Sequence, residues 1–428
     1  MIPIYKQKEK AKLFERLAKR RIAISGEVVD TVRDILEQVH MQGDIALLKL
    51  TEKLDRVKLT ERQLRVRPQA LHKAAAKADP AVVRELEKAI FNIHAYHKHQ
   101  MQESWEFTTR GVTLGQRVLP LDSVGVYVPG GSAAYPSSVL MNVIPAKIAG
   151  VPRIVVVTPP ATFRKHPVIA AALRELNVHE IYQVGGAQAI AALAFGTDTI
   201  APVDKIVGPG NAYVAAAKRE VFGQVDVDMI AGPSEVMILA GAESNPRYIA
   251  ADMLSQAEHD EFACALCFTD SFSHAVLVRR EVELQLESLP RQDIAWKSLE
   301  NFGAIVVTEN YFQAASWIDE LAPEHLEIFS SIPPSAIDLV RNAGAIFYGD
   351  YSPEAVGDYF AGSNHVLPTG GTARFFSPLG VYDFQRRTSI IRYSKDELSR
   401  TWQSIERLAR AEGLEAHARS VRIRQSDE

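Results

Sequence analysis

Apolar residues follow two different rhythms along this chain, and the change falls near Leu119. Before it the spacing is helical: Val32, Ile35, Leu36 and Val39 stand at i, i+3, i+4 and i+7, one face of a helix opened by Ser25 and Gly26. Residues 81–97 repeat the pattern, so residues 1 to about 110 are read as mostly helical. After Leu119, short apolar runs alternate with glycine turns and alanine-rich helices. A strand over 124–128 stops at Pro129, Gly130 and Gly131, and a helix follows over 137–149. Then come the strand 153–158, the helix 167–176, the strand 180–184, a Gly185–Gly186 turn into the helix 189–195, and the strand 205–207. That strand ends at Gly208, Pro209, Gly210 and Asn211, and another helix follows.

A second such block opens near Glu235, with strands over 236–239, 262–268, 304–308 and 326–329 between helices over 246–259, 274–286 and 312–321; residues 336–342 and 345–348 finish it. Strand, glycine turn and helix in repetition build a parallel sheet with helices on both faces. The expected fold is therefore α/β: two Rossmann-like parallel-sheet domains, a helical N-terminal segment and a C-terminal helical arm. The expected boundaries are 1–20 for an N-terminal arm, 21–125 with 236–380 for a first, discontinuous domain, 126–235 for a second, and 381–428 for the C-terminal arm. Two blocks of similar make-up point to duplication, although no residue-level repeat is visible.

At 428 residues the chain is too long for one core. Its 47% hydrophobic and 23% charged residues are ordinary for a globular protein. A net charge of −4 gives no electrostatic reason to expect nucleic acid or an anionic membrane as partner. Residues 1–21 lack an apolar core of signal-peptide length, and no apolar run is long enough to span a bilayer, so a cytoplasmic location is expected. Cys264 and Cys267 form a C-x-x-C pair inside an apolar run that reads as a buried strand. On a strand, residues three apart face opposite ways and cannot clamp one metal, so both are taken as small core residues.

The chemistry concentrates at a few places. Gln256 and His259 share a helical face and offer an amide oxygen and an imidazole nitrogen, both able to bind a zinc-like cation. Glu324 and His325 follow Pro323 between a helix and a strand, where a carboxylate beside an imidazole supplies two proton acceptors. Asp358 follows Gly357 in what reads as a turn, His417 sits in a charged helical tail, and Asn364 with His365 forms a polar turn. Singly, each has an ordinary structural explanation; together the first six of these side chains are what a metalloenzyme needs. The glycine turns at 129–131 and 208–211 can bring N–H groups to a phosphate, but neither matches G-x-G-x-x-G, and no acidic residue stands at the usual distance as a ribose partner.

The stretches GVYVPGG (125–131), GGAQAI (185–190), GPGNA (208–212), AGPSE (231–235), SQAEH (255–259), PEHL (323–326), Gly357–Asp358, NHVLPT (364–369) and 413–417 resemble, in order and spacing, the histidinol dehydrogenase family. The resemblance covers about residues 120–420 and implies oxidation of L-histidinol to L-histidine through the aldehyde with two NAD⁺, at the end of histidine biosynthesis. It implies one zinc per subunit held by Gln256, His259, Asp358 and His417, the last supplied by the partner in a homodimer, with zinc also binding the substrate. It places Ser234, His325, Glu412 and His417 around the substrate and Tyr127, Gln188 and Asn211 against NAD, so that the first domain carries the metal and the second the dinucleotide.

The chemistry agrees with that implication. Zinc has no redox chemistry, so the electrons need an organic acceptor. An alcohol becoming a carboxylate gives up four electrons, two per nicotinamide. His325 is expected to take the alcohol proton and Glu324 to activate water at the aldehyde, with zinc orienting the substrate. Two other readings stay open at this point: a zinc hydrolase in which Glu324 activates water, and a binding protein in which the metal is a structural staple.

Overall fold

The computed structural model describes residues 2–21, 25–130, 134–230 and 232–425; Gly131 and Ala231, from two of the motifs above, lie outside the described residues. The chain divides into two compact units, Met1–Gln100 with Leu121–Phe384, and Met101–Pro120 with Gln385–Glu428. In chain order the strands are β1 (Ile4–Lys6), β2 (Trp105–Thr109), β3 (Val112–Pro120), β4 (Ser123–Tyr127), β5 (Arg153–Val157), β6 (Glu180–Tyr182), β7 (Lys205–Val207), β8 (Asp226–Val227), β9 (Glu235–Leu239), β10 (Cys264–Thr269), β11 (Ala304–Val307), β12 (His325–Ile328), β13 (Ala345–Tyr348) and β14 (Gln385–Tyr393).

The first unit holds two parallel sheets. One has five strands in the order β6-β5-β4-β7-β8; the other has six, β1-β11-β10-β9-β12-β13. Setting aside the edge strand β1, both run third, second, first, fourth, fifth along the chain. That is the Rossmann order, with its reversal between the first and fourth strands. The similarity of the two blocks therefore lies in topology. Strands β9 and β10 are buried at every position, as a sheet covered on both faces requires. Cys264 packs with Leu266 and Phe268 on one face and Cys267 with Ala265 on the other. Both thiols are free, and burial pushes each up to about 12.

The helix Gly26–Gln42 forms where the spacing places it. Ser25 Oγ accepts the Val28 N–H at 3.3 Å, and Val32, Ile35, Leu36 and Val39 are buried. Each such side chain contributes roughly 1.5–3 kcal/mol of burial. That face packs with Tyr127, Val155 and Val157 of the five-stranded sheet. Leu86, Ala89 and Ile93 of the helix Pro80–Lys98 join Val124 and Val126 on the sheet's other face. This corrects the expected grouping of 21–125 with 236–380: the N-terminal helices complete the core of the 123–227 sheet, because their apolar stripes meet its exposed faces. Residues 1–20 are likewise more than an arm, since β1 pairs with β11 and Leu13 and Leu17 are buried with Met237 and Phe268.

The second unit holds an antiparallel sheet, β14-β3-β2, with Gln385 opposite Pro120 and Tyr393 opposite Val112. Its strands were not expected. Trp105–Thr109 is exposed throughout and eight of the nine residues of Gln385–Tyr393 are exposed, so neither carries the alternation of a half-buried strand. The helices Lys395–Ala411 and Glu415–Arg422 follow, and the helical reading of the C-terminal segment holds there. Among the described residues no helix is long and apolar enough to cross a membrane.

Candidate functional site

At the carboxyl edge of the five-stranded sheet, where the strand order reverses between β4 and β7, lies a cavity of about 500 Å³ lined by Tyr127, Gly130, Pro159, Gly186, Gln188, Asn211 and Asp55, among others. A reversal of this kind parts the loops and leaves a crevice, the usual ligand position in such sheets. Tyr127 ends β4 and its hydroxyl accepts the Gly186 N–H at 3.1 Å. Gln188 sits on the first turns of the helix Gly186–Phe195 and is buried, its Oε1 without a partner. Asn211 caps the helix Ala212–Val221, its Oδ1 accepting from Tyr213 and Val214 at 3.1 Å each. The turn before it is braced from below. Asp228 accepts the Gly208 N–H at 2.7 Å and pairs with Lys218, whose ammonium also donates to the Gly208 carbonyl at 3.0 Å.

Glu324 and His325 stand at the amino edge of the six-stranded sheet, where β9 and β12 begin. The helix Tyr311–Leu321 stops at Ala322, in the left-handed region, and Pro323 keeps the chain from resuming it. Glu324 then enters the sheet's edge and His325 opens β12, both almost wholly buried. His325 Nδ1 donates to the Glu235 carbonyl at 3.1 Å, which orients the ring and leaves Nε2 buried without a hydrogen-bond partner. That Nε2 stands 3.6 Å from Asp358 Oδ1, while Nδ1 lies 3.8 Å from a carboxylate oxygen of both Glu324 and Glu354. Glu324 Oε2 accepts the Glu235 N–H at 2.8 Å.

Burial governs the charges. It pushes Glu324 up to about 8 and Glu354 up to about 7. It also opposes the His325 cation, but Glu324, Asp358 and Glu354 outweigh it and hold the imidazole at about 10. Asp358 is raised by burial and lowered further by its interaction with the nearby His325 ring and by His365 and His259, so it ends below the usual carboxylate range.

The helix Pro246–Ala257 runs back to this same edge and carries Gln256 on its last turn, fully buried. His259 lies just past its end, in a turn closed by its own N–H on the Gln256 carbonyl at 3.2 Å, and is exposed. Asp358 stands on the short helix Glu354–Tyr359, where a turn was expected. Gly357 permits the approach, since a Cβ there would meet the Phe347 ring at 2.6 Å. The amide of Gln256 is satisfied when its nitrogen donates to the Glu235 carbonyl at 3.2 Å and to Glu354 Oε2 at 3.0 Å, which uses both N–H groups and leaves its oxygen for another partner. Among the described residues no three His, Cys, Asp or Glu side chains gather to hold a metal on their own. An amide oxygen, an imidazole and a carboxylate nonetheless form a donor set suited to a zinc-like cation, with one donor still to come.

Ser234 precedes β9 and is half-buried, its carbonyl accepting from Arg20 at 2.9 Å and from the Cys264 N–H at 3.0 Å. Glu412 and His417 belong to the second unit and are exposed there. Sequence reasoning missed Glu235, Glu354, Arg20 and Asp55. Only Glu354 had a signal, an acidic residue after Pro353 at a helix start.

Two sheets of Rossmann order, a crevice at the reversal of one and a buried imidazole–carboxylate cluster at the edge of the other define an α/β enzyme of the two-sheet, Rossmann-like class. The family model for histidinol dehydrogenase matches residues 18–425. The histidinol dehydrogenase of Bacillus licheniformis is 54% identical over 93% of each chain, and that of Bacillus subtilis 52% identical over 96% of this chain and 97% of its own. The crystal structure of histidinol dehydrogenase from Elizabethkingia anophelis superposes with a TM-score of 0.92 at 34% identity, covering 99% of this chain and 98% of the other. The chain belongs to the histidinol dehydrogenase family, and is an oxidoreductase.

Proposed function

We propose that this chain oxidises L-histidinol to L-histidine through the aldehyde in two NAD-dependent steps that end histidine biosynthesis, with Glu324 and His325 as its acid–base pair. The observation that carries this reading is the His325 ring: held by the Glu235 carbonyl and buried, with Nε2 facing Asp358 at 3.6 Å and Nδ1 3.8 Å from Glu324. The surrounding carboxylates favour the imidazolium; a cation held at Asp358 would offset them, and the neutral Nε2 would then take the proton of a substrate hydroxyl. Glu324 takes a proton from the water that adds to the aldehyde, and His325 then takes the hydroxyl proton of the hydrate.

Tyr127, Gln188 and Asn211 contact the dinucleotide in the cavity at the β4–β7 reversal. Bound NAD⁺ supplies the hydride acceptor for each oxidation. Gln256, His259, Asp358 and His417 of the partner subunit would hold one zinc, which when bound supplies a fixed positive charge that orients the substrate's nitrogens. Ser234, Glu412 and His417 complete the substrate pocket in a homodimer. The donor set supports zinc as a catalytic rather than a structural ion, because structural sites favour cysteine and both cysteines here are buried on opposite sheet faces.

The test is Glu324→Gln supplied with histidinal and NAD⁺. NADH formation from the aldehyde is expected to fall by at least about 100-fold, the usual weight of a general base. Aldehyde oxidation at the full rate would remove Glu324 from the mechanism, and no NADH from wild-type chain, histidinol and NAD⁺ would return the zinc hydrolase.

A further inference from the structure

The cavity at the β4–β7 reversal has acceptors that nothing in the chain answers. Gln188 Oε1 and Asp55 Oδ2 are buried atoms without a hydrogen-bond partner, and both residues line the cavity. Gln188 already has a place against the dinucleotide; Asp55 has none. It closes the helical stretch Thr51–Asp55 in the N-terminal segment, just before Arg56 turns the chain through the left-handed region. A buried carboxylate oxygen without a donor costs stability, so its presence calls for a ligand that donates. Burial also pushes the Asp55 carboxyl above the usual carboxylate range, the direction that a hydroxyl donor would reverse.

In dinucleotide-binding sheets of this order, an acidic residue at the end of the second strand takes the ribose hydroxyls. The second strand of this sheet is β5, and Thr158, Pro159 and Pro160 follow it, with no acid among them. Pro159 lines the cavity and supplies only apolar surface. The carboxylate comes instead from residue 55, far away in sequence, which is why no search by spacing could find it. A ribose diol offers two O–H donors on adjacent carbons to one carboxylate. A 2′-phosphate would replace one of those donors with a dianion facing the same carboxylate. Lys165, also on the cavity wall, offers a cation to the pyrophosphate.

We infer that Asp55 is the ribose-diol acceptor of this cavity and the residue that rejects a 2′-phosphorylated dinucleotide. The inference rests on the reading of the cavity as the NAD site. The experiment compares wild type, Asp55→Asn and Asp55→Glu in kcat/KM for NAD⁺ and NADP⁺ with histidinol, alongside direct NAD⁺ titration of the wild-type protein. Asp55→Asn is expected to raise KM for NAD⁺ about 10-fold and to shrink the NAD⁺/NADP⁺ preference about 10- to 100-fold, the weight of a hydrogen bond to a charged group. Asp55→Glu, which moves the charge without removing it, is expected to raise KM while keeping NADP⁺ excluded. A wild type that binds NAD⁺, with Asp55→Asn matching it in KM and preference, overturns the role of Asp55 and leaves the NAD site standing. A wild type that does not bind NAD⁺ overturns both.

Discussion

The Glu235 carbonyl accepts the His325 Nδ1–H at 3.1 Å, while the N–H of the same residue donates to Glu324 at 2.8 Å. One residue of β9 thus orients both Glu324 and His325, the proposed acid–base pair, through its backbone. Its side chain is tied down in turn by Arg20 at 2.5 Å and by the Gly370 N–H at 3.1 Å. The Arg20–Glu235 pair is nearly sealed from water, with side chains 7% and 5% exposed. Replacing Arg20 with Met strands a buried carboxylate, which costs about 3–5 kcal/mol. Urea unfolding is expected to show that loss, and Arg20→Met with Glu235→Gln to regain most of it, because the second change removes the stranded charge. Equal stability of Arg20→Met and wild type would mean that Glu235 is held by other means.

Gly208 packs against the Tyr127 carbonyl, and Tyr127 lines the cavity proposed to hold the dinucleotide. Gly208 has φ +110°, and a Cβ there would sit 2.2 Å from the Tyr127 carbonyl oxygen. Gly208→Ala therefore meets backbone strain and a backbone clash together, a cost of at least about 2 kcal/mol. The turn cannot drop to relieve it, since Lys218 and Asp228 hold both of its backbone groups. The midpoint of urea unfolding is expected to fall, and NAD⁺ affinity to fall at least about 10-fold as Asn211 moves with the turn. Isothermal titration with NAD⁺ checks the second effect, and undiminished affinity would separate the turn from the dinucleotide.

His97 ties the helix Pro80–Lys98 to the 364–369 loop. Its Nδ1 donates to the Ile93 carbonyl at 2.8 Å, and Asn364 Nδ2 donates to its Nε2 at 3.2 Å. Asn364 cannot turn over to accept a proton there, because its Oδ1 already takes the Val366 N–H at 2.9 Å. Burial, the largest influence, holds the imidazole below its ordinary value of 6.5. The unfolded chain then binds this proton first. The stabilisation is complete above pH 6.5 and is lost as pH falls from there towards the folded value, at no more than about 1.4 kcal/mol per pH unit. His97→Gln is expected to be less stable at pH 8 and to lose less between pH 7 and 5 than wild type. Parallel stability curves for the two would show that His97 protonates freely when folded.

The parallel-strand architecture was legible because burial on both faces writes continuous apolar runs, as in the strand at 205–207; the edge strand at 345–348 falls where the pattern puts it although it is only partly buried. A helix end shifted by two residues where the last turn closed early, at Ala257, beyond which His259 leaves the helix. The helix Gln292–Phe302 went unread, since charged and polar residues interrupt its apolar stripe. The antiparallel strands of the second unit were hidden for the same reason. In the buried cluster, the positions of Glu324 and His325 at the start of a strand were legible from Pro323 and the strand that follows. Glu235 and Asp55 were not, because their importance comes from what the topology brings beside them: residue 325 beside residue 235, and residue 55 beside the end of β4.

Cys264 and Cys267 provide the control for the proposed zinc site. Their spacing is that of a zinc or redox motif, but β10 turns them to opposite faces, and burial pushes both thiols up to about 12. A thiol in that state neither reacts nor coordinates. In native protein both are expected to stay closed to a disulfide reagent and to titrate only on unfolding. Cys264→Ala with Cys267→Ala is expected to keep the wild-type zinc content, measured by atomic emission after dialysis. Asp358→Asn exchanges an anionic ligand for a neutral amide and is expected to lower zinc affinity at least about 10-fold. Chelation is expected to stop histidinol oxidation while far-ultraviolet circular dichroism stays unchanged, and added zinc to restore it. The reverse result, with zinc lost from the double alanine variant and kept by Asp358→Asn, would move the metal to the cysteine strand and return it to a structural role.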